Sequence, residues 1–184
     1  MARSADAAGQ GGSGGSAGQP GPGPGTRLRR MVPADLADVI ALEHDLFPDD
    51  PWTAQMFAEE VDQPPENRLY LIAEADSLPP AAGGRVMAGY AGLMFVPGGT
   101  EADVLTIAVA AAYWGHGIGS ALLAALLAAA VERGCAEVFL EVREDNPRAR
   151  GLYLRRGFEE IGIRRGYYQP SGVNAIVMRK DLSR

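Results

Sequence analysis

Apolar residues recur along this chain in two spacings, one typical of strands and one typical of helices. Short apolar runs bounded by turn residues predict strands at 26–31, 68–75, 85–96, 102–109, 137–142, 158–168 and 175–182. Helical spacing predicts helices at 33–46, 53–62 and 117–133, and a further helix that opens at Asn146 and ends at Gly157. Consecutive strands come first and strand–helix–strand units follow, an order that predicts an α+β fold on a mixed sheet.

The predicted helix at 117–133 is apolar on nearly all of its sides. We therefore expect it to be covered by the sheet and by neighbouring elements. Gly134 is its predicted C′ residue. The apolar run from Ile118 to Val131 is shorter than the ~20 residues that a bilayer requires, so we expect no membrane span.

Residues 1–26 differ in composition from the rest of the chain. They are rich in Gly, Ala, Ser, Pro and Gln, with no large apolar residue after Met1 and no signal-peptide core. Such a segment cannot bury enough surface to offset its ordering entropy, so we expect it to be disordered. Residues 27–184 are then long enough to form one domain with a substantial core.

Charge and cysteine content narrow the classes of function. The net charge of −6 argues mildly against non-specific nucleic-acid binding and suits a basic partner. Cys135 is the only cysteine, so no internal disulfide forms and a cytoplasmic location is expected. The sequence contains no Cys/His cluster that would suggest a metal site. We expect His44 to be a structural residue. The sequence does not indicate an oligomeric state.

The segment 104–127, VLTIAVAAAYWGHGIGSALLAALL, carries the strongest chemical signal. It predicts a strand, a turn with Gly115, Gly117 and Gly119, and then a helix. Backbone N–H groups at such a helix start have no acceptor within the helix and favour an anionic phosphate group. Glycine lets the phosphate approach the backbone, so a phosphorylated cofactor is expected here.

Two common phosphate-binding motifs do not match this turn. A mononucleotide P-loop requires a lysine after the last glycine, and Ser120 follows Gly119 here. A dinucleotide fingerprint requires G-x-G-x-x-G, whereas this turn reads G-x-G-x-G. A glycine turn that only caps a buried helix remains an alternative.

The turn 114–119, W-G-H-G-I-G, resembles the pyrophosphate loop Q/R-x-x-G-x-G/A of the GCN5-related N-acetyltransferases (GNAT). Trp114 departs from the first position of that pattern, and His116 stands where a basic residue is usual. The segment 140–168, LEVREDNPRARGLYLRRGFEEIGIRRGYY, resembles the RimI-type ribosomal protein alanine N-acetyltransferases, as does F-P-D-D-P-W-T at 47–53. The resemblance spans about residues 27–182.

This resemblance implies the GNAT fold, in which a mostly antiparallel twisted sheet is splayed at the CoA site and carries helices on both faces. It implies acetyl-CoA as cosubstrate, with an N–H at or near Val109 facing the oxyanion. The residues that would hold its pantetheine arm are Ile107, Ala108 and Val109, with Asn146, which also reads as a helix N-cap. The residues that would hold its pyrophosphate are Gly115, His116, Gly117, Ile118, Gly119 and Ser120.

The same resemblance assigns Glu141 as general base, acting directly or through water, and Tyr153 as general acid. From the residues alone, Glu141 reads equally as a surface carboxylate paired with Arg143 or another arginine. Tyr153 reads equally as a core tyrosine on one helix face, and His116 as a solvated loop residue. Cys135 reads as a buried, inert thiol.

Four aromatic residues are expected to line the acceptor groove, or else to pack in the core or loops: Phe47, Trp52, Tyr167 and Tyr168. Asn174 stands where related sequences often have an acid, which makes the identity of the acceptor less certain. The implied reaction is acetylation of a protein N-terminus, the alanine of a small-subunit ribosomal protein. Acetylation of another protein N-terminus, a lysine, a polyamine or a drug amine, or a non-catalytic CoA-binding module, remains open.

Overall fold

A computed structural model describes residues 3–5, 25–48, 51–77 and 84–183 of the chain. Its strands are β1 (Arg3–Ala5), β2 (Arg27–Arg30), β3 (Arg68–Asp76), β4 (Arg85–Phe95), β5 (Glu101–Val109), β6 (Glu137–Arg143), β7 (Glu159–Tyr168) and β8 (Val173–Asp181). Its helices are α1 (Leu36–Leu46), α2 (Ala54–Val61), α3 (Ile118–Glu132) and α4 (Pro147–Arg155), with short 3-10 turns at Pro33–Asp35 and Ala111–Tyr113.

The strands form one mixed sheet in the order β2-β3-β4-β5-β6-β8-β7, with β1 paired to β5 beside that path. Neighbouring strands along the path are antiparallel except β5 and β6, which are parallel. A parallel pair needs a crossover connection, and α3 supplies it. The expected α+β architecture is therefore confirmed, with parallel junctions only at β5, which pairs in parallel with β6 and with β1.

Helices cover both faces of this sheet, as predicted. On one face α3 and α4 bury apolar residues of β3 to β6 and β8, and this core includes Leu122, Leu126 and Tyr153. On the other face α1 and α2 pack on β3, β4 and β5 in a smaller core around Phe57 and Tyr90. The sides of α3 meet these strands and neighbours, which explains why its sequence is apolar almost all round.

Local sequence signals account for most helix ends. The Thr53 hydroxyl accepts a hydrogen bond from the Met56 N–H at 3.2 Å, so Thr53 caps α2 as predicted. Gly134 is the C′ residue of α3, because the Cys135 N–H reaches the Ala130 carbonyl at 3.0 Å in a Schellman arrangement. Predicted and observed element bounds agree to within a few residues throughout the described chain.

The described residues of the N-terminal segment include one short strand. Arg3–Ala5 form β1, with Ser4 opposite Ile107 of β5. Strand pairing uses backbone groups, so a segment without large apolar residues can still pair with an open sheet edge. Residues 6–24 lie outside the described residues, and disorder there stays a prediction. Among the described residues, no helix is long and apolar enough to cross a membrane.

Candidate active site

The parallel strands β5 and β6 pair only at their first residues, from Glu101 opposite Glu137 to Asp103 opposite Phe139. Beyond that point β1 pairs with residues 106–108 of β5 and also lies beside β6. The far half of the β5 edge can therefore accept an extended chain. This gap contains the backbone of Ile107 and Ala108, where the splayed sheet was expected.

The edge of β4 comes unusually close to the other side of β5 at this level. A Cβ atom at Gly89 would lie 2.5 Å from the Ala108 carbonyl oxygen, a distance that only a glycine avoids. At the end of β5 the Val109 carbonyl accepts a hydrogen bond of 2.7 Å from the indole Nε1 of Trp114. These contacts fix the end of β5 against β4 and against the glycine turn.

The glycine turn leads directly into α3. Gly117 is the N-cap residue, with φ of 78° in the left-handed region. The N–H groups of Ile118, Gly119 and Ser120 form the first turn of α3, where no acceptor exists within the helix. A Cβ atom at Gly115 would meet no heavy atom of the described residues within 4 Å, so the backbone there faces open space. The turn therefore has the geometry of an anion site at a helix start.

Arginine side chains flank this turn. The guanidinium carbon of Arg148 lies 5.0 Å from the ring centroid of Trp114, in cation–π geometry. The Nε of Arg156 donates to the Ser120 hydroxyl at 3.2 Å, and its Nη2 donates to the Ser120 carbonyl at 3.1 Å. The Ser120 hydroxyl, a predicted phosphate ligand, thus has a protein partner, and positive charge lies beside the turn at two points.

The start of α3 also meets α4 and the end of β5. A Cβ atom at Gly119 would lie 3.6 Å from both Leu152 and Val109. Asn146 caps α4, because its Oδ1 accepts a hydrogen bond of 3.0 Å from the Ala149 N–H. This N-cap prediction is confirmed, and it fixes the start of α4 near the glycine turn.

The side chain of Tyr153 on α4 is fully buried and packs edge-on against Phe158, with ring centroids 5.7 Å apart. It therefore has the core contacts that its alternative interpretation requires. Tyr168, only 9% exposed, is close enough to Tyr153 and Glu141 that both influence its hydroxyl. Burial above all, and then the neighbouring Tyr167 and Glu141, raise the pKa of Tyr168 well above its ordinary value.

Glu141 lies on β6 beyond the last residue that pairs with β5. Its side chain is 15% exposed, and its Oε1 lies 3.3 Å from Nη1 of Arg164, whose side chain is 56% exposed. An arginine partner was expected under the alternative interpretation, although Arg143 pairs with Asp145 at 2.8 Å instead. The carboxylate is thus partly desolvated, and its cationic partner is a largely exposed arginine.

The separation of β5 from β6, a glycine turn at a helix start and a carboxylate on β6 beyond the last paired residue all lie toward the C-terminal ends of these two parallel strands. Residues 36–158 match the family model described as the acetyltransferase (GNAT) family, which covers most of the chain. The chain belongs to the GNAT acetyltransferase family. It is accordingly an acyltransferase, and the separation of β5 from β6 beyond Asp103 is the sheet splay that the GNAT fold was expected to show.

Within the GNAT family the chain is of the RimI type. It is 41% identical to the N-alpha-acetyltransferase RimI of Mycobacterium tuberculosis over 155 residues, covering 82% of this chain and 89% of that protein. The ribosomal-protein-S18-alanine N-acetyltransferase of Escherichia coli has a similar structure, with a TM-score of 0.71, 31% identity and coverage of 86% and 95% of the two chains. Arabidopsis thaliana NAA60 in complex with acetyl-CoA shares the fold at a TM-score of 0.75 and 19% identity, covering 86% and 99%.

The α1–α2 face of this acetyltransferase holds a buried carboxylate that sequence reasoning did not single out. Glu43 is 2% exposed, accepts a hydrogen bond of 3.0 Å from the Trp52 backbone N–H, and also accepts one from the Tyr90 hydroxyl. Burial, followed by the charge of Glu43, raises the pKa of Tyr90 well above its ordinary value. Glu43 thereby ties the loop between α1 and α2 to the centre of the sheet.

The four predicted groove residues divide into two pairs. Trp52 is 5% exposed and packs on Phe57 in the core, and the partly buried Phe47 packs against the same core. Tyr167 and Tyr168 stand edge to face with centroids 5.2 Å apart on the last hairpin, near Glu141. The hairpin pair is thus close to Glu141 at the gap, whereas Trp52 lies in the core under α1 and α2.

Asn174 holds the last hairpin in place despite its departure from the family pattern. Its Oδ1 accepts from the Gly166 N–H at 3.0 Å, and its Nδ2 donates to the Glu144 carboxylate at 2.8 Å. An amide can do both, whereas an acid could only accept from the backbone. Asn174 thus joins the last hairpin to the residue that follows β6 through both groups of its amide.

The remaining predicted residues occupy ordinary positions. His116 is exposed, with its Nδ1 3.1 Å from the Trp114 carbonyl oxygen. Cys135 is buried, and burial raises the pKa of its thiol. The described residues contain no group of His, Cys, Asp and Glu arranged to hold a metal ion. Arg156 was missed, and its only sequence signal is the pair of arginines before Gly157.

Proposed function

We propose that this acetyltransferase transfers an acetyl group from acetyl-CoA to the α-amine of a protein N-terminus. An N-terminal alanine of a small-subunit ribosomal protein is the proposed acceptor. The observation that carries this proposal is the position of Glu141, a partly buried carboxylate at the gap that opens between β5 and β6. The activities named for the RimI relatives support the same reaction and the same acceptor.

The residues around the gap fit acetyl-CoA, which supplies an acetyl group activated as a thioester. The β5 edge at Ile107 and Ala108 offers backbone groups that can pair with the amides of an extended pantetheine arm. The first turn of α3 offers N–H groups to the pyrophosphate, and Arg148 and Arg156 add positive charge beside it. Arg3–Ala5 pair with the same part of β5, so the arm must displace them when it binds.

Each proposed catalytic group has a defined task. Glu141 takes a proton from the acceptor ammonium, and the amine lone pair then attacks the thioester carbonyl. A backbone N–H at or near Val109 stabilises the negative charge that develops on the carbonyl oxygen. Tyr153 gives its proton to the sulfur as the C–S bond breaks, and it takes up the proton that the new amide nitrogen releases. Because Arg164 is more than half exposed, an incoming ammonium can replace it at Glu141 without burying the guanidinium.

Residues 27–184 are proposed to form the whole catalytic domain, and the enzyme is proposed to act in the cytoplasm on a basic protein partner. The family model covers residues 36–158, within that range. The net charge of −6 supports a positively charged acceptor protein through long-range attraction.

The proposal is tested by acetyl-CoA-dependent thiol release with four acceptors. These are a peptide with an N-terminal alanine and a ribosomal-type basic sequence, the same peptide blocked at its α-amine, a lysine-only peptide and a polyamine. We expect release only with the free alanine peptide. Release only with the lysine peptide or polyamine would overturn the acceptor, and release with none of them would overturn the proposed activity.

A further inference from the structure

The first strand of the chain lies in the gap that opens between β5 and β6. Arg3–Ala5 run parallel to β5, and Ser4 lies opposite Ile107. The strand also lies beside β6, so it is placed between the two separated strands. The β5 edge that was expected to receive the pantetheine arm of acetyl-CoA is therefore already paired with a segment of the same chain.

Only alternate residues of β5 turn their backbone N–H and C=O groups toward the gap. The Ala110 N–H donates to a carbonyl of β4 at 2.9 Å, so Ala108, two residues earlier, also turns its backbone groups toward β4. The Val109 carbonyl accepts a hydrogen bond from the Trp114 indole, outside the ladder with β4. The backbone groups of Ile107 and Val109 therefore face the gap.

The register of β1 directs its hydrogen bonds to these groups. In a parallel pair, a residue whose backbone faces the other strand bonds to the two residues that flank its opposite residue. Ile107 lies opposite Ser4. The register therefore assigns the Ile107 N–H to the Arg3 carbonyl and the Ile107 carbonyl to the Ala5 N–H. The Ser4 N–H points away from β5. An extended pantetheine arm that pairs with this edge needs the same groups of Ile107.

We propose that Arg3–Ala5 form an autoinhibitory strand that competes with the pantetheine arm of acetyl-CoA for the β5 edge. This inference rests on the proposed use of acetyl-CoA and adds a regulatory contact to it. In the free enzyme the strand satisfies backbone groups of Ile107 that would otherwise have no protein partner where the sheet opens. Acetyl-CoA binds once the strand has left, so the fraction of molecules with a free edge sets its apparent affinity.

The length and sequence of the strand suit such an exchange. A strand of three residues makes few hydrogen bonds, and Arg-Ser-Ala contains no large apolar side chain that could anchor it in the core. The arm of acetyl-CoA can therefore replace the strand on β5. Because the strand belongs to the same chain, it returns to the edge whenever the cofactor leaves.

The test compares two proline variants of the 184-residue chain. Proline has no backbone N–H, so Ala5→Pro removes the donor to Ile107. Ser4→Pro removes an N–H that points away from β5 and is the matched control. In calorimetry, the Kd for acetyl-CoA should be about three- to tenfold lower in Ala5→Pro than in the wild type. In Ser4→Pro it should change by less than about twofold. The KM for acetyl-CoA should fall with the Kd, and kcat should not change.

ADP distinguishes displacement of the strand from a general change in the site. It carries the pyrophosphate that the first turn of α3 is proposed to hold, but it lacks the pantetheine arm. The Kd for ADP should therefore be the same in the wild type and in Ala5→Pro. A gain in ADP affinity as large as the gain in acetyl-CoA affinity would overturn competition at the β5 edge.

Unfolding in urea shows whether each variant is folded. Ala5→Gly, which weakens the strand without removing its N–H, replaces Ala5→Pro if that variant does not fold. Unchanged or weaker acetyl-CoA binding in the folded variant would overturn the autoinhibitory function and leave β1 as an ordinary structural strand. If neither the wild type nor the variants bind acetyl-CoA, the proposed cofactor fails together with this inference, which is a different result.

Discussion

The two sides of the gap differ in the groups that form them, backbone groups on one side and charged side chains on the other. The proposed cofactor side, formed by the end of β5, the glycine turn and the starts of α3 and α4, uses backbone N–H groups and glycine conformations. The proposed acceptor side, formed by Glu141, Arg164 and the buried Glu43, uses charged side chains from three separate elements. A cofactor shared by many enzymes can be recognised by backbone geometry that nearby residues set. A particular acceptor needs side chains that the fold brings together from distant parts of the chain.

This comparison predicts that changes on the two sides have separable effects. Acceptor-side variants should alter turnover or peptide binding and leave acetyl-CoA binding intact. Cofactor-side variants should weaken acetyl-CoA binding and leave turnover and peptide binding intact.

The largest expected effect comes from Glu141→Gln. Loss of a general base should lower kcat by ~10²–10⁴-fold, while acetyl-CoA affinity measured by calorimetry stays unchanged. Glu137→Gln is the matched control, because it removes a carboxylate from the same strand together with its ion pair to Arg179. The control should keep nearly full activity. A Glu141→Gln enzyme with more than a tenth of wild-type kcat would rule out Glu141 as the base.

A smaller effect is expected from Glu43→Gln, which replaces the buried acceptor of the Trp52 N–H and Tyr90 hydroxyl. The substitution replaces buried hydrogen bonds to a charged group by weaker ones to a neutral group. The free energy of unfolding measured in urea should therefore fall by about 1–3 kcal/mol. The peptide KM should rise because the α1–α2 loop loses its anchor, and the acetyl-CoA KM should not change. Tyr90→Phe, which removes one donor, should give a smaller change in the same direction. An altered acetyl-CoA KM alone would contradict the separation of the two sides.

The smallest effect on stability is expected from Gly117→Ala at the N-cap of α3. A left-handed φ of 78° disfavours alanine, and the cost should be about 1–2 kcal/mol. Acetyl-CoA affinity should fall, while kcat at saturating acetyl-CoA stays close to wild type. Gly119→Ala is the control for stability, because its added Cβ would only reach ordinary contacts at 3.6 Å. Equal destabilisation by both substitutions would show that the left-handed conformation of Gly117 is not the cause.

The sequence predicted what is local. The caps at Thr53, Asn146 and Gly134 depend on residues a few positions apart, and the structure confirms all three. The turn at Gly117 could likewise be predicted from the residues on either side of it.

What depends on pairing between distant strands was not predictable. Asp103 reads in the sequence as an ordinary polar position in an alternating strand, and only the register with Phe139 places it near Glu141. The ion pair of Arg164 with Glu141 requires the position of β7 at the far edge of the sheet. The strand Arg3–Ala5 pairs through its backbone, so it needs no run of apolar residues by which it could have been predicted.

The most direct test of the central claim is to locate the acetyl group by tandem mass spectrometry. The substrate is a peptide with a free N-terminal alanine and one internal lysine, incubated with enzyme and acetyl-CoA. The account predicts a single acetyl group on the alanine α-amine, and no product with Glu141→Gln. An acetyl group on the lysine, with the α-amine left free, would contradict it.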